Sequence, residues 1–99
     1  MEQIERIKRM ESCLDRASVA VMELSAALEK YAEAQQAIRA LEEYLGTEEW
    51  KADLEADEAG LLPKELKRGV LSEDGIWNVL ADCHQADIRM LEVATERMR

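Results

Sequence analysis

The sequence predicts an all-helical fold. Ala, Leu, Glu and Met dominate, Phe is absent, and one Pro and four Gly leave few places to turn. The apolar residues recur with the spacing of helices that bury one side. Together these observations predict a single domain of residues 1–99 with four elements. They are a long first helix (about 2–45), a second helix (about 47–59), a short helical turn (63–68) and an antiparallel return helix (about 73–96).

The first helix is predicted because residues 2–45 contain neither Pro nor Gly and keep a seven-residue apolar repeat. One row of the repeat holds Ile7, Leu14, Val21, Leu28, Gln35 and Glu42. The other row holds Met10, Ala17, Leu24, Tyr31, Ile38 and Leu45. Six repeats in register indicate a coiled-coil-type seam. The mostly small residues beside it, which allow a second helix to approach closely, are Cys13, Ala20, Ala27, Ala34 and Leu41.

Glycines and capping residues divide the later elements. Gly46 is a natural end for the first helix, and Thr47 is a natural N-cap for the second, which stops at Gly60. Pro63 suits the first position of a short helical turn. Ser72 is the expected N-cap of the return helix, because the two acidic residues that follow it favour a helix start.

The two later helices each carry an apolar face. Trp50 and Leu54 mark the inner face of the second helix. In the return helix the predicted inner face is Trp77, Leu80, His84, Leu91, Ala94 and Met98, with Ile76, Cys83 and Met90 beside it. We expect Trp50, Leu54 and Trp77 to anchor the fold, because large apolar side chains contribute most to a small core.

The predicted lengths leave part of the first helix without an internal partner. At 1.5 Å per residue the first helix spans about 65 Å and the return helix about 36 Å. A return helix packed antiparallel from the Leu45 end covers about half of the first helix. The side chains then left uncovered are Ile4, Ile7, Met10 and Leu14. Because an apolar stripe of this size is not expected to stay in water, these residues predict self-association as a homodimer or other homo-oligomer.

The net charge of −9 bears on the choice of partner. A chain this acidic is repelled by nucleic-acid phosphates and anionic membranes, so we expect no direct nucleic-acid or membrane binding.

No apolar run is long enough to span a bilayer, and the charged N-terminus does not resemble a signal peptide. Cys13 and Cys83 are far apart in the chain. Free thiols and a cytoplasmic location are therefore expected.

The residue types needed for catalysis or metal binding are sparse. His84, the one histidine, adjoins Cys83 and precedes Asp87 by three residues. Consecutive helix residues point about 100° apart, so a half-buried histidine bonded to Asp87 is expected rather than a nucleophile pair. One histidine and two distant cysteines give no zinc-ligand spacing. We therefore predict no catalytic, cofactor or metal site and no enzyme activity.

An acidic stripe lies on the predicted second helix, where Glu49, Asp53 and Asp57 are four residues apart. Like charges at this spacing repel, so some compensation is expected. A divalent cation, a basic protein partner, or the downstream bases Lys64, Lys67 and Arg68 could each supply it. A plain solvated face is the simplest interpretation, and a basic partner is the alternative that implies a function.

Two stretches resemble a known family. They are ERIKRME at residues 5–11 and LEADEAGLLPKELKRGVLSEDGIWNVL at residues 54–80. With the spacing between them, they resemble a small bacterial family catalogued as domain of unknown function 4298. The resemblance implies a bacterial, cytosolic, stand-alone helical domain, and it implies no activity, ligand or catalytic residue.

The sequence as a whole favours a protein–protein interaction or assembly module that self-associates and also meets an unidentified protein partner. The alternative is an acidic DNA mimic or a regulator of a nucleic-acid-binding protein, which small size and the charge of −9 would suit. That alternative requires an array of carboxylates on one surface. Acidic residues interleaved with basic residues would not meet this requirement.

Overall fold

A computed structural model describes residues 1–72 and 74–99. In this part of the chain the elements are α1 (Glu2–Leu45), α2 (Glu48–Glu58), a 3₁₀ helix η1 (Gly69–Leu71) and α3 (Gly75–Met98). The all-helical class, the element order and the unbroken first helix are confirmed. The chain divides into two compact units, Met1–Gln36 and Ala37–Arg99.

The first unit consists of the larger part of α1. The amide of Glu5 donates to the carbonyl of Met1 at 3.0 Å, which closes the first turn. Glu2 and Glu5 place negative charge at the N-terminal end of the helix dipole, where it is stabilising. Every residue from Met1 to Lys30 is exposed, whereas Tyr31 and Gln35 are half-buried. The unit therefore begins as a fully solvated helix.

In the second unit, Thr47 joins the end of α1 to the start of α2. Its hydroxyl donates to the carbonyl of Tyr44 at 2.7 Å and accepts from the amide of Trp50 at 3.1 Å. One side chain thus satisfies a terminal carbonyl of α1 and a terminal amide of α2, groups that the helices themselves leave unpaired. The predicted N-cap is confirmed. Gly46 follows α1 as expected but without the left-handed conformation of a glycine cap.

α2 ends in a Schellman motif around Gly60. The amide of Leu61 donates to Ala56 at 3.0 Å and that of Gly60 donates to Asp57 at 3.0 Å. Gly60 adopts a φ of 72°, the left-handed conformation this motif requires, and it is the one residue with positive φ in the described chain. The helix therefore stops where the glycine predicts.

The short helical turn lies later than predicted. Pro63 accepts a hydrogen bond from the amide of Leu66 at 3.2 Å, which forms an isolated turn instead of a helix over 63–68. Arg68 then has φ −128° and ψ 28°, outside the helical region, so the turn cannot continue through it. The helical segment is instead η1, closed by a 2.9 Å bond from the amide of Leu71 to the carbonyl of Arg68.

Ser72 links η1 to α3 by the same double contact that Thr47 makes. Its hydroxyl donates to the carbonyl of Gly69 at 2.8 Å and accepts from the amide of Gly75 at 3.0 Å. Ser72 thus bonds the first amide of α3, although the N-cap position itself is occupied by Asp74, whose side chain makes no capping hydrogen bond. The predicted helix start at residue 73 lies outside the described residues, and α3 is described from Gly75.

Gly75 allows η1 and α3 to approach closely. A Cβ at this position would overlap the carbonyl oxygen of Gly69 and the hydroxyl of Ser72. The side chains of Leu71 and Ile76, on either side of this approach, are the two buried apolar ones among the residues described. The close backbone contacts between elements of this unit join η1 to α2 and to α3. The core is therefore centred on η1.

This junction also sets which face of α3 points inward, and the predicted inner face is wrong except at Leu80, which is half-buried. Ile76 is 3% exposed, and the half-buried residues that share its face are Leu80, Cys83 and Met90. Trp77 is 60% exposed and is not a fold anchor, whereas Trp50 and Leu54 are half-buried as expected. Because η1 contacts α3 beside Ile76, the helix is rotated by about one residue, or about 100°, from the predicted face. The antiparallel return of α3 along α1 and the single domain over 1–99 stay predictions.

Candidate functional site

An exposed apolar face lies on the first four turns of α1. It consists of Ile4, Ile7, Met10 and Leu14, which we call the N-terminal face. All four side chains are more than half exposed. Their spacing places them within about a third of the helix circumference. The sequence-predicted residues are therefore brought together on one side of a single helix, and they are open to solvent.

The same face continues along the helix for several more turns. Val21 and Leu24 are more than half exposed, and Leu28 is 42% exposed. From Tyr31 onwards the seam changes, because most of its residues become half-buried. The half-buried positions are Tyr31, Gln35, Ile38 and Leu45 in the seam and Ala34 and Leu41 beside it. The predicted seam thus has an uncovered half, residues 4–28, and a partly covered half, residues 31–45.

The acidic stripe of α2 is compensated by groups of the same chain. Arg68 Nη1 lies 2.6 Å from Asp57 Oδ1 and forms a partly exposed ion pair. The hydroxyl of Tyr44 donates to Asp53 Oδ2 at 2.6 Å. Glu49, the third member, is exposed. Of the compensators left open by the sequence, the described structure therefore shows Arg68, and it adds Tyr44, which sequence reasoning missed.

Tyr44 is electrostatically perturbed by the stripe it touches. Its hydrogen bond to Asp53, together with burial and the negative charges of Asp53 and Glu49, raises the pKa of Tyr44 to about 12. The dominant cause is the hydrogen bond, which requires the phenol to keep its proton. A phenol held protonated beside a carboxylate is a structural link between α1 and α2, and this contact brings no nucleophile or base into play at neutral pH.

The cysteine and histidine of α3 do not adopt the expected arrangement. His84 is exposed, so the prediction of a half-buried histidine is wrong. Cys83 is the half-buried residue of the pair, and its Sγ lies 4.0 Å from Asp87 Oδ2, a long thiol–carboxylate contact. The cause is the rotation of α3 set at Ile76, which turns Cys83 inward and His84 outward.

No group of three or more metal-ligating side chains occurs among the residues that the structure describes. Two surface depressions, of about 400 and 450 Å³, are each lined by residues of one helix and its terminal neighbour, α3 with Arg99 and α1 with Met1. A groove on one helix surface cannot enclose a small molecule as a cleft between elements does.

A second exposed apolar row lies on α3. It consists of Trp77, Leu91 and Met98, which the sequence placed on the inner face, together with Ile88. The signal was present in the sequence, since α3 carries two adjacent apolar rows. Periodicity alone could not tell which row faces inward, because that choice is made by the packing of Ile76 at η1.

The family comparison agrees with the resemblance found in the sequence. The sequence profile of the family described as Domain of unknown function (DUF4298) matches residues 7–93. The chain belongs to this family. No curated protein and no solved structure matches this chain.

The DUF4298 match spans the features described above. It includes most of the N-terminal face, the acidic stripe with Tyr44 and Arg68, and the η1 junction. Ile4 lies outside the matched residues. No described helix of this DUF4298 chain is long and apolar enough to cross a membrane.

Proposed function

We propose that this DUF4298 chain is an assembly module that self-associates through the N-terminal face, most simply as a homodimer. The observation that carries the proposal is the exposure of Ile4, Ile7, Met10 and Leu14 on one side of an unbroken helix. Burying one such side chain contributes about 1.5–3 kcal/mol. Pairing this face with a second copy removes several of them from water at once.

The continuation of the face along the helix supports the same proposal. Val21 and Leu24 are more than half exposed and Leu28 is 42% exposed, so these residues supply apolar area next to the N-terminal face. A standard protein–protein interface needs about 800 Å² from each partner, and a face that runs over several turns of one helix adds to that area.

A partner of opposite charge at the acidic stripe is supported less well. Asp53 and Asp57 already contact Tyr44 and Arg68, so a basic partner would have to displace both contacts. A DNA mimic likewise needs carboxylates that are open to a basic surface. Self-association does not require any contact within the chain to be displaced, because the N-terminal face is already exposed.

A matched pair of variants tests the proposal. Ile7→Asp places a charge on the N-terminal face, and Val19→Asp places the same charge on the other side of α1. The two side chains are equally exposed, at 53% and 54%, so both substitutions should change the stability of the isolated helix by a similar amount. Sedimentation velocity of the full chain at high micromolar concentration should show a dimer for Val19→Asp and a monomer for Ile7→Asp. Equal mass for the two variants would refute the assignment of the face.

A further inference from the structure

We propose that two copies of the chain pair with their α1 helices parallel and in register. This inference rests on the proposed function and adds the orientation of the second copy. It is carried by the charges that border the exposed half of the seam. In a paired helix, the residues just outside the apolar rows meet across the interface and select the orientation.

Two rows border the seam between residues 4 and 34. One row consists of Ile4, Glu11, Ser18, Ser25 and Ala32. The other row consists of Arg6, Cys13, Ala20, Ala27 and Ala34. Each row therefore contains a single charged residue, Glu11 in the first and Arg6 in the second. The orientation depends on whether these two residues can meet.

Parallel, in-register helices bring opposite border rows together. A residue of the row that contains Arg6 then faces the residue five positions later in the row that contains Glu11, on the second copy. Arg6 faces Glu11 of the second copy, and two-fold symmetry repeats the pair. Two attractive ion pairs therefore border the N-terminal face.

Antiparallel helices bring each border row against the same row of the second copy. Arg6 then faces a neutral side chain or another Arg6, and Glu11 faces a neutral side chain or another Glu11. No antiparallel register joins Arg6 to Glu11 across the seam. Both residues are exposed, and neither belongs to an ion pair identified within the described chain. They are therefore available to a second copy in the parallel arrangement.

Disulfide trapping tests the orientation directly. In a background of Cys13→Ser and Cys83→Ser, a single cysteine is introduced as Gln3→Cys. Position 3 lies in the same row as Met10, so parallel pairing places both copies of this cysteine within the Cα separation of about 7 Å that a disulfide needs. The matched control is Ser12→Cys, on the opposite side of the helix. Each full-length variant is oxidised with a glutathione redox pair. The mass of each variant is also measured, in a separate experiment, by light scattering.

We expect Gln3→Cys to form the linked dimer and Ser12→Cys to remain unlinked. A dimeric mass without linkage at position 3 would overturn the parallel orientation and leave the proposed self-association intact. Equal linkage of both variants would indicate random collision and would also overturn the orientation. A strict monomer would overturn the proposed function, and this inference with it.

Charge reversal provides a second test. Arg6→Glu and Glu11→Arg should each weaken self-association by about tenfold, since two attractive pairs become repulsive. Mixing the two variants should restore association, because each then meets the opposite charge. A mixture no tighter than either variant alone would contradict the Arg6–Glu11 pairing.

Discussion

The Tyr44 hydroxyl donates to Asp53 Oδ2 at 2.6 Å, and this bond ties the last turn of α1 to the middle of α2. Thr47, in the connection itself, bridges the same two helices through the carbonyl of Tyr44 and the amide of Trp50. The corner between α1 and α2 is thus held by side-chain hydrogen bonds, in a region where no apolar side chain is fully buried.

Titration of Tyr44 should reveal the bond to Asp53. In a Tyr31→Phe background, the ultraviolet absorbance change of Tyr44 is expected near pH 12, because its pKa is raised to about 12. Asp53→Asn should lower this pKa toward the ordinary value of 10.0, whereas the control Glu58→Gln should leave it unchanged. Titration of Tyr44 near pH 10 in the unmodified site would contradict the bond.

The same bond gives a pH dependence of stability. Because the folded-state pKa lies above the unfolded value of 10.0, the contribution of Tyr44 to stability is complete below pH 10. It is lost as the pH rises toward and through about 12. Urea unfolding at fixed protein concentration should show a steeper loss above pH 10 in the native chain than in Tyr44→Phe. Parallel curves for the two proteins would argue against the link.

Gly75 should not tolerate a side chain. Gly75→Ala places a Cβ against the carbonyl of Gly69, and relief of that overlap should cost about 1–3 kcal/mol in the free energy of unfolding. Gly69→Ala is the control, since a Cβ there meets nothing within 4 Å. Chemical denaturation measures both variants. An equal loss at the two positions would show that the η1–α3 approach is not the cause.

The hydroxyl of Thr47 should account for most of the stability that this residue contributes. Thr47→Ala removes both of its hydrogen bonds and should cost about 1 kcal/mol, the usual effect of losing an N-cap. Thr47→Ser keeps the hydroxyl and should retain nearly full stability. Thermal unfolding followed by circular dichroism compares the three proteins. If Thr47→Ser lost as much as Thr47→Ala, the effect would lie in the methyl group instead.

The two tryptophans should report different environments. Trp50 is half-buried and its indole N–H donates to the carbonyl of Val70 at 3.1 Å, whereas Trp77 is 60% exposed. In single-tryptophan variants, Trp77 fluorescence should be quenched by acrylamide more strongly than Trp50 fluorescence. The reverse order would place Trp77 inward, as the sequence periodicity predicted.

Sequence reasoning recovered those parts of the fold that depend on local rules. The absence of Pro and Gly predicted the extent of α1, and capping chemistry placed Thr47 correctly as the N-cap of α2. It failed where a nonlocal contact decides between two similar local patterns. The rotation of α3 depends on the packing of Ile76 at η1, and the position of the short helix depends on the backbone of Arg68.

For the candidate site, the periodicity of α1 predicted the N-terminal face, and its four side chains are exposed on one helix, whereas its role in self-association stays a prediction. The compensation of the acidic stripe was only partly predictable. Arg68 was one of several candidates by charge, but the contact of Tyr44 with Asp53 joins residues nine positions apart across a corner. Such a contact depends on the angle between two helices, which helical periodicity does not specify.

The molar mass of the full chain in solution tests the central proposal most directly. Light scattering across a concentration range extending to high micromolar should give a mass rising from 11.3 kDa to about twice that value. A mass that stays at 11.3 kDa over the whole range would contradict self-association through the N-terminal face.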